Sequence, residues 1–223
     1  MPSQPAKISA CACALLCLSA SVALAEDAGW QKIHEEQGIS VSTREGGADA
    51  LPTFRGQAQV KAPVLHILAV LLDDEHSGEW AKGADESNVL RSIDERTQVI
   101  YARAHQRWPV QDRDVVMRRS VDVLKPGELY RVKLVCVPGE KPSVDGVVRV
   151  RRCENSFLLH AIDAERTMID YRVHADPGGD NPDWIVRMAS KNIPLDTLSG
   201  LRRQVVRTRG KYDATVAQWA KAR

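Results

Sequence analysis

Most residue patterns that carry chemistry are missing from this chain. There is no Gly-x-Ser-x-Gly elbow and no glycine-rich phosphate loop after a strand. There is also no Cys-x-x-Cys pair and no His-Glu-x-x-His. These absences remove the usual signatures of serine hydrolases, nucleotide binders, thiol oxidoreductases and zinc proteases. The six histidines (His34, His66, His76, His105, His160 and His174) are scattered. His105 and His174 on two strands would supply only two neutral ligands, too few for a zinc site. No metal, no cofactor and no catalytic residue is expected. Aromatic residues make up only 5% and the net charge is +2, so no basic field or stacking platform argues for nucleic acid.

Hydrophobic content of 43% and charged content of 27% suit an ordinary globular domain. The first 25 residues do not belong to it. Lys7 precedes an apolar run from Ile8 to Leu24, and Ala23-Leu24-Ala25 reads as a small-residue cleavage site. The run is short for a membrane span and is followed by Glu26-Asp27. Residues 1–25 are therefore expected to be a cleaved signal peptide, with residues 26–223 exported, to a periplasm or beyond. Cys11, Cys13 and Cys17 leave with that peptide. Cys136 and Cys153 remain in an oxidising compartment, where a disulfide is the first thought. If LYRVKLVCV and GVVRVRRCE form one hairpin, however, Cys136 falls opposite Val147 and Cys153 opposite Tyr130. The thiols would then lie roughly 20 Å apart at strand rise, and two buried free thiols are expected.

Along the mature chain, Trp30 to Ile39 reads as a short helical lead-in ended by Gly38, and ISVSTR as a strand. TFRGQAQVK alternates, with Phe54, Gly56, Ala58 and Val60 on a dry face and Arg55, Gln57, Gln59 and Lys61 on a wet one. Ala62-Pro63 opens a mostly buried helix, VLHILAVLL. Trp80 falls in a loop, and TQVIYARAH is the next strand. DVVMRRSVDVL, LYRVKLVCV, GVVRVRRC, FLLHAID and TMIDYRVHA follow as antiparallel strands, with turns at Lys125-Pro126-Gly127-Glu128 and Asp163-Ala164-Glu165-Arg166. After Pro194 the period becomes helical: Leu198, Leu201, Val205, Tyr212, Val216 and Trp219 mark one amphipathic helix of about six turns. Its other face carries Arg202, Arg203, Arg207, Arg209 and Lys211. The fold class is α+β, with one antiparallel sheet, two or three helices and a long closing helix.

One charge breaks the pattern. In the strand from Val115 to Leu124 the odd positions are Val115, Met117, Arg119, Val121 and Val123, while the even positions form a mixed polar face. Arg119 therefore points where its neighbours are buried. An unpaired buried guanidinium costs several kcal/mol, of the order of a domain's stability, so something must meet it. It is either half of a buried ion pair or the polar anchor of an apolar ligand cavity. In Asp112-Arg113-Asp114 the arginine reads as scaffold, clamping a carboxylate or carbonyls at the strand entry.

Two blocks of this sequence resemble a known family. WPVQDRDVVMRRSV, from Trp108, is similar to the strand signature of START (steroidogenic acute regulatory protein-related lipid transfer) domains. YRVHADPGGDNPDW, Tyr171 to Trp184, is similar to the segment that leads into their last helix. The resemblance implies a helix-grip fold, a curved sheet wrapped around the C-terminal helix and enclosing a tunnel for one lipid or sterol. It also implies that Arg119 matches the family's cavity arginine. The acid found beside it in sterol-binding members would fall near the apolar Ile100, which argues against sterol specificity; if no protein acid meets Arg119, a ligand or water must. Asn181 and Arg187 depart from the family pattern where the last helix begins.

The function expected on this basis is lipid binding or lipid transfer by a monomer. The expected ligand-binding residues are Arg119, Met117, Val121, Tyr130, Val132, Leu134, Ile169, Tyr171 and Val173 on the sheet. Leu198, Leu201 and Val205 would form a helical lid. The basic face of the last helix would touch a membrane surface transiently during exchange. The alternative is a helix-grip enzyme of the polyketide cyclase or aromatase type, which would need His160 or Asp170 inside the cavity as acid or base.

Overall fold

The computed structural model describes residues 29–46, 51–81, 84–106, 111–176, 178–179 and 192–221. The expected signal peptide, Trp108, and Asn181 to Arg187 lie outside the described residues.

Ten strands form one sheet. In chain order they are β1 (Gln31–Glu36), β2 (Ile39–Arg44), β3 (Thr53–Val60), β4 (Ala84–Ser92), β5 (Thr97–Ala104), β6 (Arg113–Lys125), β7 (Leu129–Cys136), β8 (Val148–Val150), β9 (Arg152–Ala161) and β10 (Thr167–Asp176). Their order across the sheet is β1-β2-β3-β10-β9-β7-β6-β5-β4, antiparallel throughout, with the short β8 added parallel to β6. The described chain also has three α-helices, α1 (Val64–Leu72), α2 (Ile193–Arg207) and α3 (Asp213–Lys221), and two short 3-10 turns, Ser77–Glu79 and Pro138–Glu140.

The alternation read in β3 holds. Phe54, Gly56, Ala58 and Val60 are buried beneath α2. Gly56 is needed there, because a Cβ would come within 2.8 Å of both Leu198 and Pro194. The same dry face continues through Ile39 and Val41 of β2, Ile169, Tyr171 and Val173 of β10, Phe157 and Leu159 of β9, and Tyr130 and Val132 of β7. The apolar helix α1 packs against α2 and α3 at the edge of this core, with every residue but Leu72 buried. Pro63 precedes the helix as its N-cap residue rather than occupying the first turn.

Several expectations are corrected. Trp30 to Ile39 is no helix: Gln31–Glu36 is edge strand β1, and a tight turn with Gln37 at φ 50° and Gly38 at φ 68° leads into β2. The strand β1 is exposed on both faces, which is why its sequence lacks a clear two-residue period. The closing helix is two helices. Gly210, at φ 79°, breaks it, and Tyr212 docks separately near His66, with ring centroids 5.7 Å apart. The strand β4 went unread, because most of its described side chains are exposed and carry no apolar alternation.

The cysteine expectation also fails, and for a reason of register. GVVRVRRC is not one hairpin arm. Val148–Val150 leaves the hairpin to run parallel to β6, and β9 begins afresh at Arg152. The β7–β9 ladder then aligns Val135 with Glu154, so Cys136 and Cys153 face each other as a disulfide with Cα atoms 5.1 Å apart. The wet face is likewise drier than expected at two places. Arg55 is buried under Trp30 and paired with Asp170 at 2.6 Å. Val99, Tyr101 and Val116 form a second small cluster packed by Leu90 and Val137. Beside it Asp114 accepts two bonds from Arg149, at 2.6 and 2.8 Å. Arg149 also donates to the carbonyls of Pro138, Lys141 and Pro142, which folds the connecting loop onto the sheet. Arg113 binds only the Gln111 carbonyl at the strand entry, among the described residues.

The disulfide closes a segment with a sequence separation of 17, worth about 3 kcal/mol in the loop-entropy account. Unreduced, denatured protein should take up no alkylating agent at Cys136 or Cys153. The double variant Cys136→Ala/Cys153→Ala should lose about 3 kcal/mol in urea titration; equal stability would show that the bridge does not form in solution.

Candidate functional site

The site is built on the dry face of the sheet beneath α2. Of the residues read from sequence, Tyr130, Val132, Ile169, Tyr171, Val173, Leu198, Leu201 and Val205 all belong to one buried cluster, and Val121 and Leu134 pack against it. Met117 stands apart from that cluster. It is half-buried, between Ile100 on one neighbouring strand and the disulfide cysteine Cys136 on the other. Tyr171 stacks on Phe157 with centroids 4.3 Å apart. Burial pushes its phenol up to about 12, against a smaller opposing effect of its hydrogen bond with Thr197 on α2. The tyrosine is thus neutral and ties the sheet to the helix.

Arg119 points into this face, as its parity requires, and is 3% exposed. A protein acid does meet it. Asp74, just beyond the end of α1, accepts from both terminal nitrogens, with Nη1–Oδ1 at 2.7 Å and Nη2–Oδ2 at 2.8 Å. Gln98, directly opposite on β5, accepts a further bond at 2.5 Å. Of the partners the sequence left open, the structure supplies a protein carboxylate, in a bidentate ion pair from a different element. Ile100 does lie one row too far along the ladder, opposite Met117.

The transverse row through Arg119 continues to Leu134, Asn155 and Val173. Asn155 shares the dry-face parity of Phe157 and Leu159, and its Oδ1 is buried with no hydrogen-bond partner. A mostly apolar face thus has a polar row across it, with a paired charge and one unfilled acceptor.

Four of these polar groups were not read from the sequence. Gln98 and Asn155 lay at dry-face positions of strands whose polar members drew no notice. Gln204 was hidden in the apolar stripe of α2, where it is 1% exposed. Asp74 had a physical signal. Asp73-Asp74 places two carboxylates at the C-terminal end of a helix, against the macrodipole, and such a pair needs cations nearby. Asp74 has Arg119. Asp73 accepts from Tyr212 Oη at 2.6 Å, His76 Nδ1 at 2.9 Å and Lys211 Nζ at 3.1 Å. Burial opposes its ionisation, but these bonds outweigh it and hold the carboxyl well below the usual range.

The groups an enzyme reading needs are elsewhere. His160 is exposed, on the opposite face of β9 from Phe157 and Leu159. Asp170 lies on the outer face of β10, bound by Arg55, Gln57 and Arg172. Among the described residues no cluster of three or more His, Cys, Asp or Glu side chains is arranged to hold a metal ion. The basic residues of α2 and of the turn after it are largely committed. Arg202 donates to the carbonyls of Gln37, Gly38 and Gln59, Arg207 pairs with Glu79 and Lys211 with Asp73. Arg203 and Arg209 remain exposed.

A curved antiparallel sheet closed over a C-terminal helix, with a polar row across its dry face, defines a helix-grip domain. The sequence matches the START domain family over residues 11–210, and the chain belongs to that family. It is 30% identical over 180 residues to an uncharacterised protein of Pseudomonas aeruginosa, covering 81% of this chain and 87% of that one. It is 23% identical over 171 residues to the phosphatidylcholine transfer protein of Mus musculus, covering 74% of this chain and 78% of that one. The crystal structure of a STAR-related lipid transfer protein from Xanthomonas axonopodis superposes with a TM-score of 0.73 at 29% identity, over 79% of this chain and 98% of that one.

Removing one member of a buried ion pair leaves the other without a counter-charge. Asp74→Ala should lower unfolding free energy by about 3–5 kcal/mol, whereas Arg119→Met/Asp74→Leu should come within about 1 kcal/mol of wild type. Urea titration of both variants decides this, and equal losses would mean that the pair is not the stabilising unit.

Proposed function

We propose that this chain is an exported lipid-binding and lipid-transfer protein that holds one hydrophobic ligand between the dry face of the sheet and α2. The observation that carries the reading is the polar row of Gln98, Arg119 and Asn155, set across an otherwise apolar face. A fold needs no such row for stability, since apolar residues of similar volume would serve as well or better. Ligand cavities, in contrast, are mostly apolar with a few placed polar groups that orient the ligand. Arg119, Gln98 and Asn155 would meet the polar end, and Tyr130, Val132, Leu134, Ile169, Tyr171 and Val173 the hydrocarbon. Leu198, Leu201 and Val205 would close over it. Because Asp74 already neutralises Arg119, the polar end is uncharged or zwitterionic; a fatty-acid carboxylate would face Asp74 as well as Arg119. Membership in a family with lipid-transfer relatives supports the same reading.

Export is supported by two independent features. The apolar run Ile8 to Leu24 with its small-residue boundary has the form of a signal peptide. The Cys136–Cys153 bridge suits an oxidising compartment. Among the described residues no helix is long and apolar enough to cross a membrane. Arg203 and Arg209, exposed along the lid side, would contact anionic headgroups during exchange.

Protein incubated with vesicles of bacterial polar lipids, re-isolated and extracted should carry lipid at close to one molecule per chain. The Arg119→Met/Asp74→Leu variant should stay folded and lose most of its polar-headed lipid. Unchanged lipid content in that folded variant would remove the polar row from the binding account.

A further inference from the structure

The buried stripe of α2 is apolar at Leu198, Leu201 and Val205, yet Gln204 lies within it at 1% exposure. A buried primary amide offers two donors and an acceptor, and each one left unmade carries a desolvation penalty. Gln204 Nε2 donates to Glu79 Oε2 at 2.9 Å. An ionised carboxylate only accepts, so the amide presents its nitrogen to Glu79. Gln204 Oε1 is then left buried with no donor.

The facing turn repeats the pattern. Ser77 Oγ and Trp80 Nε1 are also buried without a partner. The turn and the helix are in close contact: Gly200, one helical turn before Gln204, lies so near Trp80 that a Cβ would stand 2.0 Å from its carbonyl oxygen. Trp80 also packs against the main core, and Ser77 is tied to the Arg119 partner, its backbone N–H donating to the Asp74 carbonyl at 3.2 Å. Gln204 Oε1 on the helix and Ser77 Oγ and Trp80 Nε1 on the turn it touches are thus an acceptor, a hydroxyl and a donor, each buried and unpaired; together they offer what a group that both donates and accepts would need. A leucine at 204 would pack like its neighbours and leave no such demand.

We propose that Gln204, with Trp80 and Ser77, is a specificity site on the lid helix that selects lipids bearing a free hydroxyl. The proposal rests on the lipid-binding reading above and adds the chemistry of the head. An ester, ether or phosphate oxygen has no hydrogen to offer Gln204 Oε1 and would also stand near the Glu79 carboxylate.

The test presents the whole mature chain with dioleoylphosphatidylcholine vesicles containing equal amounts of 1,2-dioleoylglycerol and its 3-O-methyl ether, and measures both lipids on the re-isolated protein by mass spectrometry. Wild type should favour the free alcohol roughly fivefold, the worth of about one net hydrogen bond. Gln204→Met should bring the ratio near one without lowering uptake of the ether. Trp80→Phe, which removes the donor along with part of the ring, should shift the ratio the same way and serves if Gln204→Met does not fold. Equal uptake by wild type, or a preference that survives both substitutions, overturns the hydroxyl site and assigns the unpaired atoms to trapped water. Absence of any lipid on the wild-type protein, phosphatidylcholine included, overturns lipid binding itself and the hydroxyl site with it.

Discussion

Covering the dry face of the sheet is the constraint on which the rest of the structure depends. That face is apolar from β2 across to β7, and α2 is the helix that lies against it. Burying Leu198, Leu201 and Val205 contributes about 1.5–3 kcal/mol each. The approach is close enough to require Gly56 in the sheet, and on another side of α2 Gly200 makes room for the Trp80 carbonyl of the turn after α1. Arg202 then fixes the helix laterally by binding three carbonyls of the β1–β2 turn and β3. Every polar group brought under this helix must be paired, and that requirement makes the unpaired ones informative.

The end of α1 is where the layers are joined. Asp74 turns inward to Arg119 on the sheet, while its neighbour Asp73 turns outward to Tyr212 and Lys211 at the start of α3. His66, one turn into α1, reaches the Val205 carbonyl near the end of α2. Two adjacent carboxylates thus couple the sheet and the segment leading into the terminal helix, while His66 couples the same helix to the lid. The turn that follows carries Ser77 and Trp80, so the ion pair and the proposed hydroxyl site share a backbone.

What was legible in the sequence follows the strength of its periodicity. The strands β3, β6, β7 and β10 were readable because each has a dry and a wet face, and the inward aim of Arg119 followed from parity alone. The strands β1 and β4 lie at the two edges of the sheet, exposed, and their sequences carry no alternation to read. The disulfide was missed through one assumption, that β7 and the next apolar run form a simple hairpin. A three-residue excursion of β8 to β6 changes the register and brings the two cysteines together. Partners from distant segments were the least legible part. Asp74 reaches Arg119 across 45 residues and Gln204 reaches Glu79 across 125, distances over which local pattern carries no information.

Lipid carriage is tested most directly on protein recovered from its own compartment, by native mass spectrometry before and after extraction with organic solvent. A stoichiometric mass excess, lost on extraction and identified as a lipid with a polar but not anionic head, is expected. A chain that arrives at its bare mature mass, under conditions that preserve the disulfide and the fold, would contradict it.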